Sequence, residues 1–201
     1  MRLRNLGVSD VPVLSAVERM SRKHFLPADL IDQAYDEVML PLGDGAYVPS
    51  ATLVGVLGQH LQLERSHKIL EIGTGSGYQS AVLAQVCSRV FTIERRRDLH
   101  SFADRAFQAL HITNIVNVLG DGSKGWPQEA KFDRIIVNAA TNQIDDRVFS
   151  QLKEGGFVLA PLGLTVPGQH LYKLQMEDGQ TVSEQLMESQ YPPLVEDHSK
   201  A

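Results

Sequence analysis

The chain has 201 residues, a formal net charge of -5, 43% hydrophobic residues and one cysteine. That length suits one domain with a sizeable core. The acidic balance disfavours a nucleic-acid partner, whose phosphates call for a basic face. The lone Cys87 excludes an intramolecular disulfide framework and reads as a small core residue. No apolar run is long enough to span a bilayer, and residues 1–5 lead into no apolar signal core. The expectation is a cytoplasmic chain without a membrane partner, and nothing demands a second copy, so a monomer is expected.

Residues 1–66 read as a helical front part. Asp10 can cap a helix carrying Val11, Val13, Leu14 and Val17, with Pro12 in its first turn. Pro27 and Asp29 open a short second helix through Leu30, Ile31 and Ala34. Two glycines and two prolines within residues 40–50 predict an ordered, irregular loop. A helix follows from about Ser50, with Leu53, Leu57 and Leu61 at i, i+4 and i+8. From residue 68 short Val/Ile-rich runs alternate with amphipathic stretches. Strands are predicted at 68–72, 89–94, 115–119, 133–138 and 156–161, and helices at about 78–87, 97–110 and 143–152. Such alternation means βαβ units and a parallel sheet. Two further strands, 170–176 and 181–188, belong near the sheet edge, and residues 196–201 form a polar, frayed tail. With no repeat, low-complexity tract or linker, residues 1–201 are expected to be one domain: a helical part (1–66), an α/β core (67–195) and the tail.

The stretch Leu70-Glu71-Ile72-Gly73-Thr74-Gly75-Ser76-Gly77-Tyr78 joins the first core strand to its helix. Its glycines can take positive φ and let a ligand approach the backbone. The helix aims its free amides and positive dipole end at the same turn. A dinucleotide fingerprint wants its third glycine at i+5, where Tyr78 stands. Glu-x-Gly-x-Gly-x-Gly instead resembles the first motif of class I S-adenosylmethionine (SAM) methyltransferases, an α/β Rossmann-like fold; an ordinary Gly-rich turn is the bland alternative. Ligands of open α/β sheets bind beyond the carboxyl ends of the strands. Three residues sit there. Glu94 lies 21 residues after Gly73 and could accept from both ribose hydroxyls, or belong to a solvated cluster with Arg95, Arg96 and Arg97. Asp121 could receive an adenine amino group, or only make a turn with Gly122. Asn138 could face the reacting end, or cap the helix near Gln143. The seven histidines are scattered without zinc-like spacing, so no metal is expected.

The match widens beyond the glycines. The run from Leu70 to Gln79 is very close to that of protein-L-isoaspartate (D-aspartate) O-methyltransferases. Leu40-Pro41-Leu42-Gly43-Asp44-Gly45 is similar to that family's Leu-Pro-Ile-Gly-x-Gly. Gly120-Asp121-Gly122 with Gly125-Trp126, Val137-Asn138-Ala139-Ala140, Gln151-Leu152-Lys153-Glu154-Gly155-Gly156 and Pro193-Leu194-Val195 also fit, and the resemblance covers about 190 residues. It implies a mostly parallel seven-stranded sheet with helices on both faces. It also implies methyl transfer from SAM to the carboxylate of isoaspartyl residues in damaged proteins, the ester then cyclising to a succinimide that can reopen to aspartate. Glu71, Gly73, Thr74, Gly75 and Gly77 would serve the cofactor turn, with Glu94 at the ribose, Asp121 and Gly122 at the adenine, and Asn138 nearby. On the acceptor side the sequence departs from the family. Where the family has Thr-Ile-Ser-(Gln or Ala)-Pro, this chain has Tyr47, Val48 and Pro49. Ser50 is the nearest hydroxyl, either catalytic or simply a helix cap. The family's Ala-Ala-Pro-Pro is replaced by Ala139-Ala140-Thr141-Asn142. Three readings therefore stand: an isoaspartyl repair methyltransferase, a relative with another acceptor, or a SAM-binding protein without transferase activity.

Overall fold

A computed structural model describes residues 2–195, and the expected tail, 196–201, lies outside them. The front part begins with helices α1 (Arg2–Asn5) and α2 (Val11–Arg19), the latter capped by Asp10, whose carboxylate accepts from Val13 N at 3.0 Å. Two 3-10 turns follow, Arg22–Phe25 and Ala28–Gln33. The expected second helix is the latter of these. A six-residue segment closes too few α-type bonds to offset nucleation, so the tighter turn prevails.

Residues 40–50 are not an irregular loop. They form an antiparallel hairpin of β1 (Leu40–Gly43) and β2 (Ala46–Val48), pairing Leu40 with Val48. Asp44 and Gly45 turn the chain at φ 47° and 76°, the positive values of a two-residue type I′ connection. Pro41 is tolerated because a two-stranded ribbon has only edges. Helix α3 (Ala51–His60) then starts at Ser50.

The core sheet contains β3 (Lys68–Ile72), β4 (Arg89–Glu94), β5 (Ile115–Leu119), β6 (Phe132–Val137), β7 (Leu152–Leu162), β8 (His170–Glu177) and β9 (Gln180–Glu188), in the order β5-β4-β3-β6-β7-β8-β9. The first five run parallel, while β8 and β9 add as antiparallel neighbours. The expected Rossmann-like, mostly parallel seven-stranded sheet is what forms. Alternate side chains feed two apolar layers. Ile69 and Ile136 face one cluster with α3, α4 (Tyr78–Leu83) and α5 (Arg97–Ala109); Leu70 and Ile135 face the other with α6 (Asp146–Phe149).

The helix expected over 143–152 shrinks to the single turn of α6. Gln151 faces inward at 3% exposure, its Oε1 accepting from Trp126 N at 2.6 Å and its Nε2 donating to Lys124 O at 2.8 Å. Strand β7 begins one residue later. Residues 153–156 bulge out of it, so that Leu152 pairs with Phe132 but Phe157 already pairs with Arg134. Because β3 leads to β4 on one side and sits beside β6 on the other, strand order reverses at the carboxyl ends of β3 and β6. That is where a crevice opens in such sheets.

Candidate active site

Strand β3 delivers the chain into the glycine turn at this crevice. Gly73, Gly75 and Gly77 take φ of 95°, 57° and 86°. Gly73 N continues the sheet by donating to Ile93 O at 2.8 Å. The three glycines then differ. A Cβ on Gly75 would meet only Tyr47 O, at 3.7 Å, so that position opens onto the cavity. A Cβ on Gly77 would lie 2.6 Å from the Phe107 ring, and Gly77 does not line the cavity. The missing side chain there allows the close approach of α4 to α5.

Glu94 ends β4 on the cavity wall and is 5% exposed. Its Oε2 accepts from Gly75 N and its Oε1 from Arg96 N, each at 2.9 Å. Two backbone amides thus orient the carboxylate and leave acceptor capacity for a ligand, since two oxygens offer about four lone-pair sites. It is not a member of a solvated arginine cluster. The Arg96 guanidinium turns away to Asp98, to Asp44 at 3.4 Å and to Gly43 O at 2.8 Å, which ties the β1–β2 turn to the rim of the cavity.

Asp121 and Gly122 line the wall beyond β5, and Asp121 Oδ1 accepts from Ser123 N at 2.8 Å. A Cβ on Gly122 would lie 2.7 Å from Ile72 Cγ2, so the wall packs tightly there. Thr74 also lines the cavity, with its hydroxyl 2.7 Å from Thr92 Oγ1 and 3.1 Å from Asn117 Oδ1. Asn138 touches the cavity but caps no helix. Its Nδ2 donates to Gly73 O at 2.9 Å and to Glu71 Oε1 at 3.0 Å, and its Oδ1 accepts from Gln79 Nε2 at 2.9 Å. This side chain is a brace for the turn.

Glu71 and Ser50 do not reach the cavity wall. Glu71 is fully buried behind the turn and accepts from Gln79 Nε2 at 2.8 Å, Thr92 Oγ1 at 3.0 Å, Asn138 Nδ2 and the Ser80 hydroxyl. Burial raises its carboxyl to about 7 in spite of those four donors. It is a structural anchor for the glycine turn rather than a ligand contact. Ser50 caps α3, its Oγ accepting from Leu53 N at 3.1 Å. Pro49, not Ser50, faces the cavity. A proline lacks both hydroxyl and amide donor there.

Sequence reasoning missed three supports. The segment 191–195 closes one side of the cavity, held to the chain after β6 by Ala140 N to Pro192 O and Leu194 N to Ala140 O, both 2.7 Å. Arg22, 2% exposed, donates to Val48 O and Val38 O at 2.8 Å and to Asp36 O at 3.0 Å. It clamps β2 from behind. Met39 and Tyr47 complete the hairpin side of the wall. Pro193-Leu194-Val195 and Tyr47 stand in family-like stretches, but nothing in the sequence tells that they close a cavity, and nothing marks Arg22 as a buried clamp.

Compared with known proteins, the chain matches the family model described as protein-L-isoaspartate(D-aspartate) O-methyltransferase over residues 1–199. It is 41% identical over 201 residues to a Maricaulis maris protein named protein-L-isoaspartate O-methyltransferase, covering 100% of this chain and 94% of that one. A Rhodospirillum rubrum protein of the same name is 43% identical over 199 residues, covering 98% and 90%. Among solved structures, a protein-L-isoaspartate O-methyltransferase superposes with a TM-score of 0.85 at 27% identity; the match covers 95% of this chain and 63% of that longer one. A candidate protein-L-isoaspartate O-methyltransferase of Plasmodium falciparum, in complex with S-adenosyl-L-homocysteine, superposes with a TM-score of 0.82 at 19% identity and covers 96% and 95%, a likeness of fold.

Proposed function

The chain belongs to the protein-L-isoaspartate(D-aspartate) O-methyltransferase family, and from that premise we propose that it methylates the carboxylate of isoaspartyl residues in damaged proteins, using SAM. One observation carries the reading. Glu94 and the Gly75 position face one cavity at the sheet's switch point, with the carboxylate already oriented by two amides.

The residues present fit the cofactor. Gly73, Thr74 and Gly75 would receive its amino-acid part, because a side chain at Gly75 would project into that space. Glu94 would hold the sugar hydroxyls through its remaining lone pairs. Asp121 and Gly122 would meet the base, with Ile93 and Leu99 supplying apolar wall. When bound, SAM supplies a methyl group already activated by its positive sulfur. The acceptor carboxylate is itself anionic at neutral pH, so no side chain has to remove a proton. Among the described residues no histidine lines the cavity, which agrees with that economy. What the chain contributes is alignment: a fixed turn, a fixed sugar anchor, and an acceptor side built from β2, Pro49 and residues 191–195.

The test is methyl-labelled SAM with an isoaspartyl peptide and its normal aspartyl twin. Label should enter only the former, as a base-labile ester. Cofactor binding by calorimetry without any such label would overturn the acceptor assignment. One observation favours a second reading. Pro49 faces the cavity while the Ser50 hydroxyl is committed to Leu53 N, so a relative with a different carboxylate acceptor is the alternative, and a panel of small carboxylates in the same assay decides it. We further read the protein as a single-domain monomer of the cytoplasm. One continuous sheet runs through residues 68–188, and among the described residues no helix is long and apolar enough to cross a membrane.

A further inference from the structure

The β1–β2 hairpin is held firmly at one end and lightly at the other. At its base Leu40 and Val48 are 2% and 0% exposed, and Val48 O accepts from Arg22. At its tip Gly43, Asp44 and Gly45 are exposed, while Asp44, Gly45 and Ala46 line the cavity. A Cβ on Gly45 would lie 3.9 Å from Pro192 Cβ, so the tip reaches the 191–195 segment on the far side. A two-stranded ribbon has little stability of its own. Where its tip stands therefore depends on what tethers it.

Among the described residues, the polar links from this tip to the core sheet come from Arg96. Asp98, in the first turn of α5, accepts from Arg96 Nε at 3.2 Å and from Nη2 at 2.6 Å. That two-point grip fixes the plane of the guanidinium. Nη1 is left to donate to Gly43 O at 2.8 Å, and Nη2 lies 3.4 Å from Asp44 Oδ2. The Arg96 amide meanwhile donates to Glu94 Oε1. One residue thus orients the proposed sugar anchor with its backbone and holds the hairpin tip against the same cavity with its side chain.

We propose that Arg96 is a positioning residue that latches the hairpin tip across the cavity and so sets how fast SAM leaves it. The inference rests on the reading above that this cavity takes SAM. The two contacts contribute unequally. Gly43 O accepts from a charged donor, the stronger class of hydrogen bond. The Asp44 side chain is 89% exposed, and an ion pair so open to water adds little. The bond to Gly43 O is therefore the main tie, and the aspartate only tunes it. With the tie broken, the base of the hairpin stays where Arg22 and the buried Leu40 hold it, and the tip alone swings away. The cofactor then has an exit while Glu94 and the glycine turn keep their places.

The experiment loads the full chain with labelled SAM, chases it with excess unlabelled SAM, and follows association separately. Arg96→Met should release SAM about tenfold faster than the wild type, the loss expected for one charge-assisted hydrogen bond at a partly exposed site. Arg96→Lys should fall between the two, since an ammonium can reach one acceptor but lacks the two-point fork. Asp44→Asn should stay within about threefold of the wild type. None of the three should slow association, because the backbone amide that orients Glu94 is unchanged. An Arg96→Met release rate equal to that of the wild type overturns the latch. So does faster release accompanied by slower association, which marks a damaged site rather than an opened one. A wild type that binds no SAM refutes the cofactor reading itself, whatever the variants do.

Discussion

Replacing Glu71 by glutamine should change how stability depends on pH, and in a direction the structure fixes. The carboxyl titrates at about 7 in the folded chain against a reference value of 4.5. The native state therefore holds a proton that the unfolded chain releases as pH passes 4.5. The stabilisation this gives is complete below 4.5 and is lost as pH rises through 7, after which it stays lost. At 1.36 kcal/mol per pH unit, the interval from 4.5 to about 7 amounts to roughly 3 kcal/mol. Glutamine can keep the same contacts. Its oxygen accepts from Gln79 and Asn138 as Oε1 does now, and its nitrogen donates to the Ser80 and Thr92 hydroxyls, which rotate to accept. Urea unfolding of both chains at pH 5, 6, 7 and 8 reads the difference, because every other titrating group cancels between them. The two should agree within about 1 kcal/mol at pH 5, and the variant should be more stable by roughly 3 kcal/mol at pH 8. Parallel stability curves, or a variant weaker at pH 8, would refute the idea that burial outweighs four donors at this carboxylate.

Gly75→Val should weaken SAM binding at least about a hundredfold by calorimetry, since a branched side chain at φ 57° would fill the cavity and strain the turn. Gly77→Ala should act on stability instead, costing about 1–3 kcal/mol in urea unfolding through its clash with Phe107; a loss confined to cofactor affinity would contradict that placement. Glu94→Gln sets an amide nitrogen against Gly75 N or Arg96 N, so SAM affinity should fall about ten- to a hundredfold in the same titration. Arg22→Met leaves three carbonyls without their donor and should lower the unfolding free energy by about 3 kcal/mol or more; a change below 1 kcal/mol would show that the clamp is redundant.

The centre of the sheet was legible because β3, β4 and β6 are short apolar runs buried on both faces, and such runs leave little choice of structure. Glu94 was legible for a related reason: a charge that closes an apolar run must sit where the strand emerges. The hairpin at residues 40–48 was not. Glycine and proline count as breakers until the pairing partner is known, and here Asp44-Gly45 supplies the turn while Pro41 needs no ladder bond. The length of α6 was hidden by Gln151, whose inward amide is a tertiary contact with Trp126 and Lys124. Glu71 and Gly77 stand in the expected turn, but the Glu71 carboxylate meets Gln79 and Ser80 of α4, and a side chain at Gly77 would meet α5. Sequence gives position along the chain, whereas facing depends on what α4 and α5 bring behind the loop.

The same distinction separates the proposed cofactor side from the proposed acceptor side. Cofactor contacts come from backbone geometry at strand ends, and backbone geometry leaves glycines and terminal acids in the sequence. The proposed acceptor side consists of β2 with Pro49 and of residues 191–195, two segments far apart in the chain. Each is positioned from behind by one buried polar side chain, Arg22 for Val48 and Gln169 for Tyr191. Their partners are main-chain groups, which place no demand on the identity of the residue held. Such clamps can therefore keep a surface in place while the side chains it shows, Pro49 among them, change with the substrate. On this plan a family can hold its cofactor residues fixed and still vary its acceptor, because the two sides are secured by different kinds of contact.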